Sequence, residues 1–380
     1  MMQPRWLVAI TVSLLIGRSV DAQSVVRVGA GYYPTIQAAI QAAAPGGVVL
    51  IDAGIYEAFT VGKPLTITAQ PSALVQILSL GTVSISLSPF EACNLAGLDI
   101  EVASMTVAGG VCSAERCTIR TTTGLEVSNS MLALRWSSVW ASHGSGLHLQ
   151  NGILHASEGT FATAAGSSPS NVRAALDIDG VSQCSLSECT LSGAWPNTVQ
   201  EPDASAALDV TGIQANTERA WLLDCSLFGG FDTAGNVGPA LRAPALPAPA
   251  PIRLHREVAL GAIDGAVTYG PVVGMRTTVD MSIGASFTST MTGDPGTHHL
   301  FYAGTGLAGW VQLPHVEQLA FGLFNTVIFG LVPANAQGDA DYTFVVPNNP
   351  NVRHAVVWWR AVDVFAVPWQ VTPAFVTVVQ

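Results

Sequence analysis

GLEVSNSMLALRWSSVWASHGSGLHLQNGILHASEGTF, residues 124–161, holds two copies of one pattern. Leu125 and Val127 alternate with Glu126 and Ser128, as Leu147 and Leu149 alternate with His148 and Gln150. A period of two is that of a strand with one face buried. Asn129 and Asn151 follow at the same offset, and asparagine is one of the few residues besides glycine that visits a left-handed backbone readily. A second strand-like segment then closes each copy, LALRWSSV (132–139) and LHASEGTF (154–161).

The pattern extends in both directions. SISL (84–87), SMTV (104–107), ALDI (175–178) and ALDV (207–210) align with these copies. Their leading apolar residues Ile85, Met105, Leu125, Leu147, Leu176 and Leu208 are 20, 20, 22, 29 and 32 residues apart. The corner that follows is Gly109, Asn129, Asn151, Gly180 or Gly212. CSAERCTI (112–119), CSLSECTL (184–191) and a looser WLLDCSLF (221–228) repeat the second segment. Repetition at this period predicts a solenoid of stacked parallel strands, each turn burying its apolar face on the next. A leucine-rich repeat has a similar period, but its asparagine-ladder consensus is missing.

YYPTIQAAIQAAAPGGVVLIDAGIYEAFTVGKPLTI (32–67) resembles the start of right-handed parallel β-helices of the pectin lyase-like superfamily, and the resemblance covers residues 26–237. It implies a short amphipathic helix, carrying Ile36, Ala39, Ile40 and Ala43 and ended by Pro45-Gly46-Gly47, that covers the open end of the coil. A solenoid end needs such a cap because it exposes unpaired strands and core. The superfamily includes lyases, hydrolases, esterases, adhesins and plain binding proteins, so the resemblance speaks to fold more than to activity. The expected fold class is all-β: a right-handed parallel β-helix solenoid with an N-terminal capping helix, then a small antiparallel β-sandwich-like domain.

Residues 1–22 read as a secretory signal peptide: Arg5, an apolar run from Trp6 to Gly17, and small residues at Val20 and Ala22 before the cleavage point. Residues 23–237 form the expected β-helix domain. GPALRAPALPAPAP (238–251), with five prolines, reads as a linker. Residues 252–380 read as a separate antiparallel domain, with turns at MTGDPG (291–296) and VPNNPN (346–351). VPNNPNVRHAVVWWRAVDVFAVPW (346–369) is similar to a C-terminal module of bacterial exported proteins of unknown function. Export places the chain outside the cell, at its surface or in the periplasm. Past the leader no run is apolar enough to span a membrane. With a net charge of −11, nucleic acid is not an expected partner.

In this register the outward positions of the first strand stack as Ser86, Thr106, Glu126, His148, Asp177 and Asp209. The next outward column is Ala108, Ser128, Gln150, Asp179 and Thr211. Like charges one strand spacing apart repel, and a reason for them is needed. A bound Ca²⁺ held by Asp177, Asp179 and Asp209, a sugar, or a raised carboxyl pKa each supplies one. The insertions 162–175 and 192–207 enter beside this face and bring Arg173, Trp195, Asn197, Glu201 and Asp203. Two function classes follow. One is a binding or surface-interaction module for extracellular polysaccharide, with Glu126, His148, Gln150, Asp179 and Trp195 as ligand contacts. The other is a polysaccharide lyase or glycoside hydrolase in which Asp177, Asp209 and Arg173 are catalytic, since a carboxyl pair can serve as acid and base. Clefts beside this strand are where the superfamily's polysaccharide enzymes work. Gln150, Asp177 and Arg173 are of the types that its pectin methylesterases use, but the arginine clusters of pectate lyases and the paired aspartates of polygalacturonases are absent.

The register puts Cys93, Cys112 and Cys184 in one stack and Cys117, Cys189 and Cys225 in another. They are either buried small hydrophobes or disulfides, with Cys93–Cys112 and Cys189–Cys225, or Cys112–Cys117 and Cys184–Cys189, as the pairings the register permits. Trp136 and Trp140 fall outward, where a sugar ring could stack. His143 lies in a turn. His298 and His299 point to opposite faces of a strand, as do Trp358 and Trp359, so one tryptophan of the pair is expected in the core.

Overall fold

The computed structural model describes residues 24–379 apart from 165–173, 181, 195–204, 211–219, 233, 244–251, 256–257, 266, 270–271, 273, 278–280, 305, 312–319, 325, 364–369 and 373–374. The signal-peptide reading of residues 1–22 therefore lies outside the described residues. From Val25 the chain winds as a parallel coil with three strands per turn. The first face is an eleven-stranded parallel sheet that includes Val111–Glu115, Met131–Arg135, Ile153–Ser157, Gln183–Ser187 and Ala220–Leu223. The second face includes Thr118–Thr121, Ser138–Ala141, Thr160–Thr163, Thr190–Ser192 and Ser226–Phe228. The third includes Leu125–Ser128, Leu147–Gln150, Leu176–Asp179 and Leu208–Val210. The long strand Leu98–Ala108 pairs with both Thr118–Thr121 and Leu125–Ser128, so the second and third faces form one bent hydrogen-bonded sheet.

The leucines drive this arrangement. Leu125, Leu147, Leu176 and Leu208 are successive Cα partners in parallel strands, and all are fully buried. Each stabilises the coil by about 1.5–3 kcal/mol through burial. The cap helix spans Ile36–Ala42; Thr35 accepts the Ala38 N–H at its N-terminus, and Ile36, Ala39 and Ile40 face the core. Gly109, Asn129, Asn151 and Gly180 all have positive φ, as the repeat requires; Gly212 is outside the described residues. Gly180 is held to glycine twice over, since a Cβ there would also meet the Asn151 side chain at 2.4 Å. At the first copy the register differs from the repeat: Val83, not Ile85, is the partner of Met105, and a bulge lies between Ser79 and Thr82.

The coil does not end at residue 237. Ile252–His255 pairs parallel with Ala220–Leu223, Val258–Leu260 with Ser226–Phe228, and Val267–Tyr269 with Ile252–His255. Leu241–Arg242, inside the expected 238–251 linker, is a third-face strand between Leu208–Val210 and Ile263–Asp264. The prolines mislead because a rung needs only two or three free N–H groups. Ala240 and Ala243 donate to Ala262 and Asp264, and Pro239 and Pro244 fall just outside them. Residues 244–251 lie outside the described residues. Proteolytic nicking within 244–251 is expected to leave the two fragments associated on gel filtration, because strands on both sides belong to one coil. Fragments that separate without denaturant would contradict this.

The antiparallel module starts at Gly274, not at residue 252. One sheet holds Gly274–Thr277, Ser286–Thr292 and Asp339–Val345; another holds His298–Gly304, Val327–Pro333, Val356–Asp363, Gln370–Val371 and Phe375–Val378. Both tryptophans of the pair are core, in different cores. Trp359 stacks with Phe287 and Phe329 inside the module. Trp358 points the other way and packs with Val111, Met131, Ala133 and Ile153 on the outside of the coil's first face. The Val378 N–H also reaches Glu115, whose carboxylate is ion-paired with Arg135 in a fully buried setting.

Candidate functional site

The third face presents one outward ladder along the coil axis. Successive Cα partners are Ser84, Thr106, Glu126, His148, Asp177, Asp209, Arg242 and Asp264. The expected column is present from Thr106 onward, with Ser84 in place of Ser86. Alternation puts these side chains outside while Leu147, Leu176 and Leu208 fill the interior. His148 Nδ1 lies 3.2 Å from Glu126 Oε2. Arg242 Nη1 donates to Asp209 Oδ2 at 3.4 Å. Arg242 is the residue that sequence reasoning missed, because it was assigned to a linker rather than to the next rung.

Asp209 carries the least settled charge. Its side chain is only 17% exposed, and its Oδ1 is buried with no hydrogen-bond partner among the described residues. Burial raises its pKa above the ordinary carboxylate value; Arg242 pulls the other way, and Asp177 one rung away adds to the rise. Asp209 is thus driven towards holding a proton.

The second outward column is as read: Ala108, Ser128, Gln150 and Asp179 are successive partners. Thr211 is outside the described residues. Asp179 turns to its own corner and accepts the Gly180 N–H at 2.6 Å. That contact and the Arg242 cation on Asp209 do not fit a calcium site, which takes six to eight oxygens. Among the described residues no group of three or more His, Cys, Asp or Glu side chains could hold a metal ion, and Asp177, Asp179 and Asp209 are included in that statement. Arg173, Trp195, Asn197, Glu201 and Asp203 lie outside the described residues.

A further column escaped the repeat reading. Arg116, Trp136, Glu158, Glu188 and Asp224 all have φ between 48° and 53°, at the corner between first and second faces. Trp136 is there, and it is occupied: Arg135 sits 3.7 Å from its ring centroid, and its indole N–H donates to Glu158. It is not available to stack on a sugar. Trp140, in contrast, is 43% exposed on the second face. His143 is in an exposed turn, and His299 is fully buried while His298 is partly open. All six cysteines are free and buried. Cys93 and Cys112 are direct cross-strand partners, and Cys184 lies further along the same column. Burial pushes the Cys93 and Cys117 thiols up to about 12, which makes them inert fillers of the coil.

No protein-family model, curated protein or solved structure matches this chain.

Proposed function

We propose that the chain is an exported β-helix protein, of the pectin lyase-like type, that binds extracellular polysaccharide along its third face. The observation that carries this reading is the ladder Glu126–His148–Asp177–Asp209–Arg242. It is a continuous row of polar side chains at strand spacing along the outside of the coil. A linear polymer lying along the axis meets a new donor or acceptor about every 4.8 Å. Three carboxylates against one guanidinium repel a polyuronate and attract cationic amino groups, so the ligand is an amino-sugar polymer. Binding to immobilised amino-sugar and neutral polysaccharides is the test. The double variant Asp177→Asn, Asp209→Asn is expected to lose at least about tenfold in affinity for the amino-sugar polymer, the effect of about 1.4 kcal/mol. Retention of full affinity would remove this face as the site.

A second reading rests on Asp209. A carboxyl driven towards protonation next to a second carboxylate is the arrangement that glycoside hydrolysis uses for its acid and its base or nucleophile. Release of reducing ends from the bound polymer, abolished by Asp209→Asn, distinguishes an enzyme from a binding protein.

A further inference from the structure

The second face carries a pattern that the ladder does not explain. Thr118, Ser138, Thr160, Thr190 and Ser226 are successive cross-strand partners and form one outward column. Threonine suits a strand, but serine has no such preference, so strand propensity does not account for a hydroxyl at five rungs running. These hydroxyls make no side-chain hydrogen bond among the described residues. Packing does not require them either: the core is filled by Ile119, Val139, Phe161, Leu191 and Leu227 on the opposite side of the same strands.

The neighbouring outward column runs Arg120, Trp140, Ala162, Ser192 and Phe228. Trp140 stays 43% exposed beside two small residues, Ala162 and Ser192. The small residues make a shelf three strand spacings long, about 14 Å, from Trp140 to Phe228. Charge is confined to one end of this face, where Arg120 pairs with Asp99 at 2.7 Å and Glu101 is adjacent. From Ser138 and Trp140 to Ser226 and Phe228 neither outward column holds a charge, in a chain whose net charge is −11.

We propose that this strip is a second binding surface, for an uncharged polysaccharide chain laid along the coil axis. The C–H face of a pyranose ring is apolar and covers the exposed indole. The ring's hydroxyls, which point outward around its edge, exchange hydrogen bonds with the Ser/Thr column. The strip's own two columns carry no charge, and on the corner beside them Glu158 is engaged by the Trp136 indole N–H and Glu188 by Arg276. This selects a neutral polymer, in contrast to the third face.

The test uses the full mature chain on insoluble cellulose, chitin, xylan and mannan, with chitosan and polygalacturonate for comparison. Trp140→Ala is the first variant, and Thr160→Val with Thr190→Val the second; these positions are outward, and unchanged melting temperatures check the fold. Wild-type protein is expected to bind at least one neutral polymer, with tryptophan fluorescence changed by its soluble oligosaccharides. Trp140→Ala is expected to weaken that binding at least about tenfold, the usual scale for truncating an aromatic anchor. The Thr variant weakens it less, and Asp177→Asn, Asp209→Asn leaves it unaltered. Failure to bind any neutral polymer, or binding by Trp140→Ala equal to wild type, overturns the strip. So does self-association that Trp140→Ala abolishes, which would make a second copy the occupant. Chitosan binding lost only in the aspartate variant supports the third face whatever the strip does, so the two readings fail separately.

Discussion

Trp358→Ala is expected to release the C-terminal module from the coil at a cost of about 3–5 kcal/mol, the range for emptying a buried tryptophan site. Trp358 is 2% exposed, and its packing partners Val111, Met131, Ala133 and Ile153 are all outward residues of three first-face strands. It touches the coil rather than the module core, where Trp359 sits with Phe287, Phe329 and Phe344. The side chain therefore fastens two units that each have their own core. The same seam carries a polar contact, from the Val378 N–H to Glu115, whose carboxylate is paired with Arg135. In calorimetry the wild type should unfold in one transition and Trp358→Ala in two, the coil melting close to the original temperature. An unchanged single transition would show that Trp358 is not the fastening.

The coil was legible because its signal is repeated. Leu125, Leu147, Leu176 and Leu208 each say little alone, but one buried position recurring with a Gly/Asn corner leaves no other fold that satisfies every copy. The same method failed where the copies degrade. Leu241–Arg242 is a two-residue strand between prolines, too short for alternation to register, and Ile85 looked aligned with Met105 because Val83 and Ile85 share one face of the strand. The corner of Arg116, Trp136, Glu158, Glu188 and Asp224 could not be read from residue type, since only Asp224 is of a type that visits a left-handed backbone at all readily. Tertiary hydrogen bonds hold it instead: the N–H groups of Arg116, Trp136 and Glu158 donate to Arg135, Ser157 and Ser187 on the next rung.

The candidate site divides along the same line. Glu126, His148, Asp177 and Asp209 were correctly stacked because strand register alone places them. What they do to each other depends on a cation that register could not supply. The expected neutralisers were Arg173, which lies outside the described residues, or calcium; among the described residues Arg242 donates to Asp209. The module interface was illegible for a further reason. Nothing in VVWWRAVD says which strand face meets its own core and which meets the coil, because both are apolar.

Mild acid is expected to destabilise the protein through His155. This residue lies under the docked module, 7% exposed, and neither ring nitrogen has a hydrogen-bond partner among the described residues. Burial lowers its pKa from 6.5 to about 3, and the buried Arg360 of the module facing it adds to the drop. The folded state therefore refuses a proton that the unfolded chain accepts below pH 6.5. Above pH 6.5 both states are neutral at this position, and the full stability is present. Below it the loss grows by about 1.4 kcal/mol per pH unit until the folded pKa is reached. At pH 5 this one group removes about 2 kcal/mol. The proton that does enter sits against Arg360, so the seam between module and coil is the first part to open. His155→Gln cannot take up the proton. Its urea midpoint at pH 7.5 is expected at or below that of wild type, with a smaller fall between pH 7.5 and pH 5. Carboxylates titrating elsewhere contribute equally to both proteins and cancel in the difference. Parallel profiles for the two proteins would assign the acid sensitivity to another group.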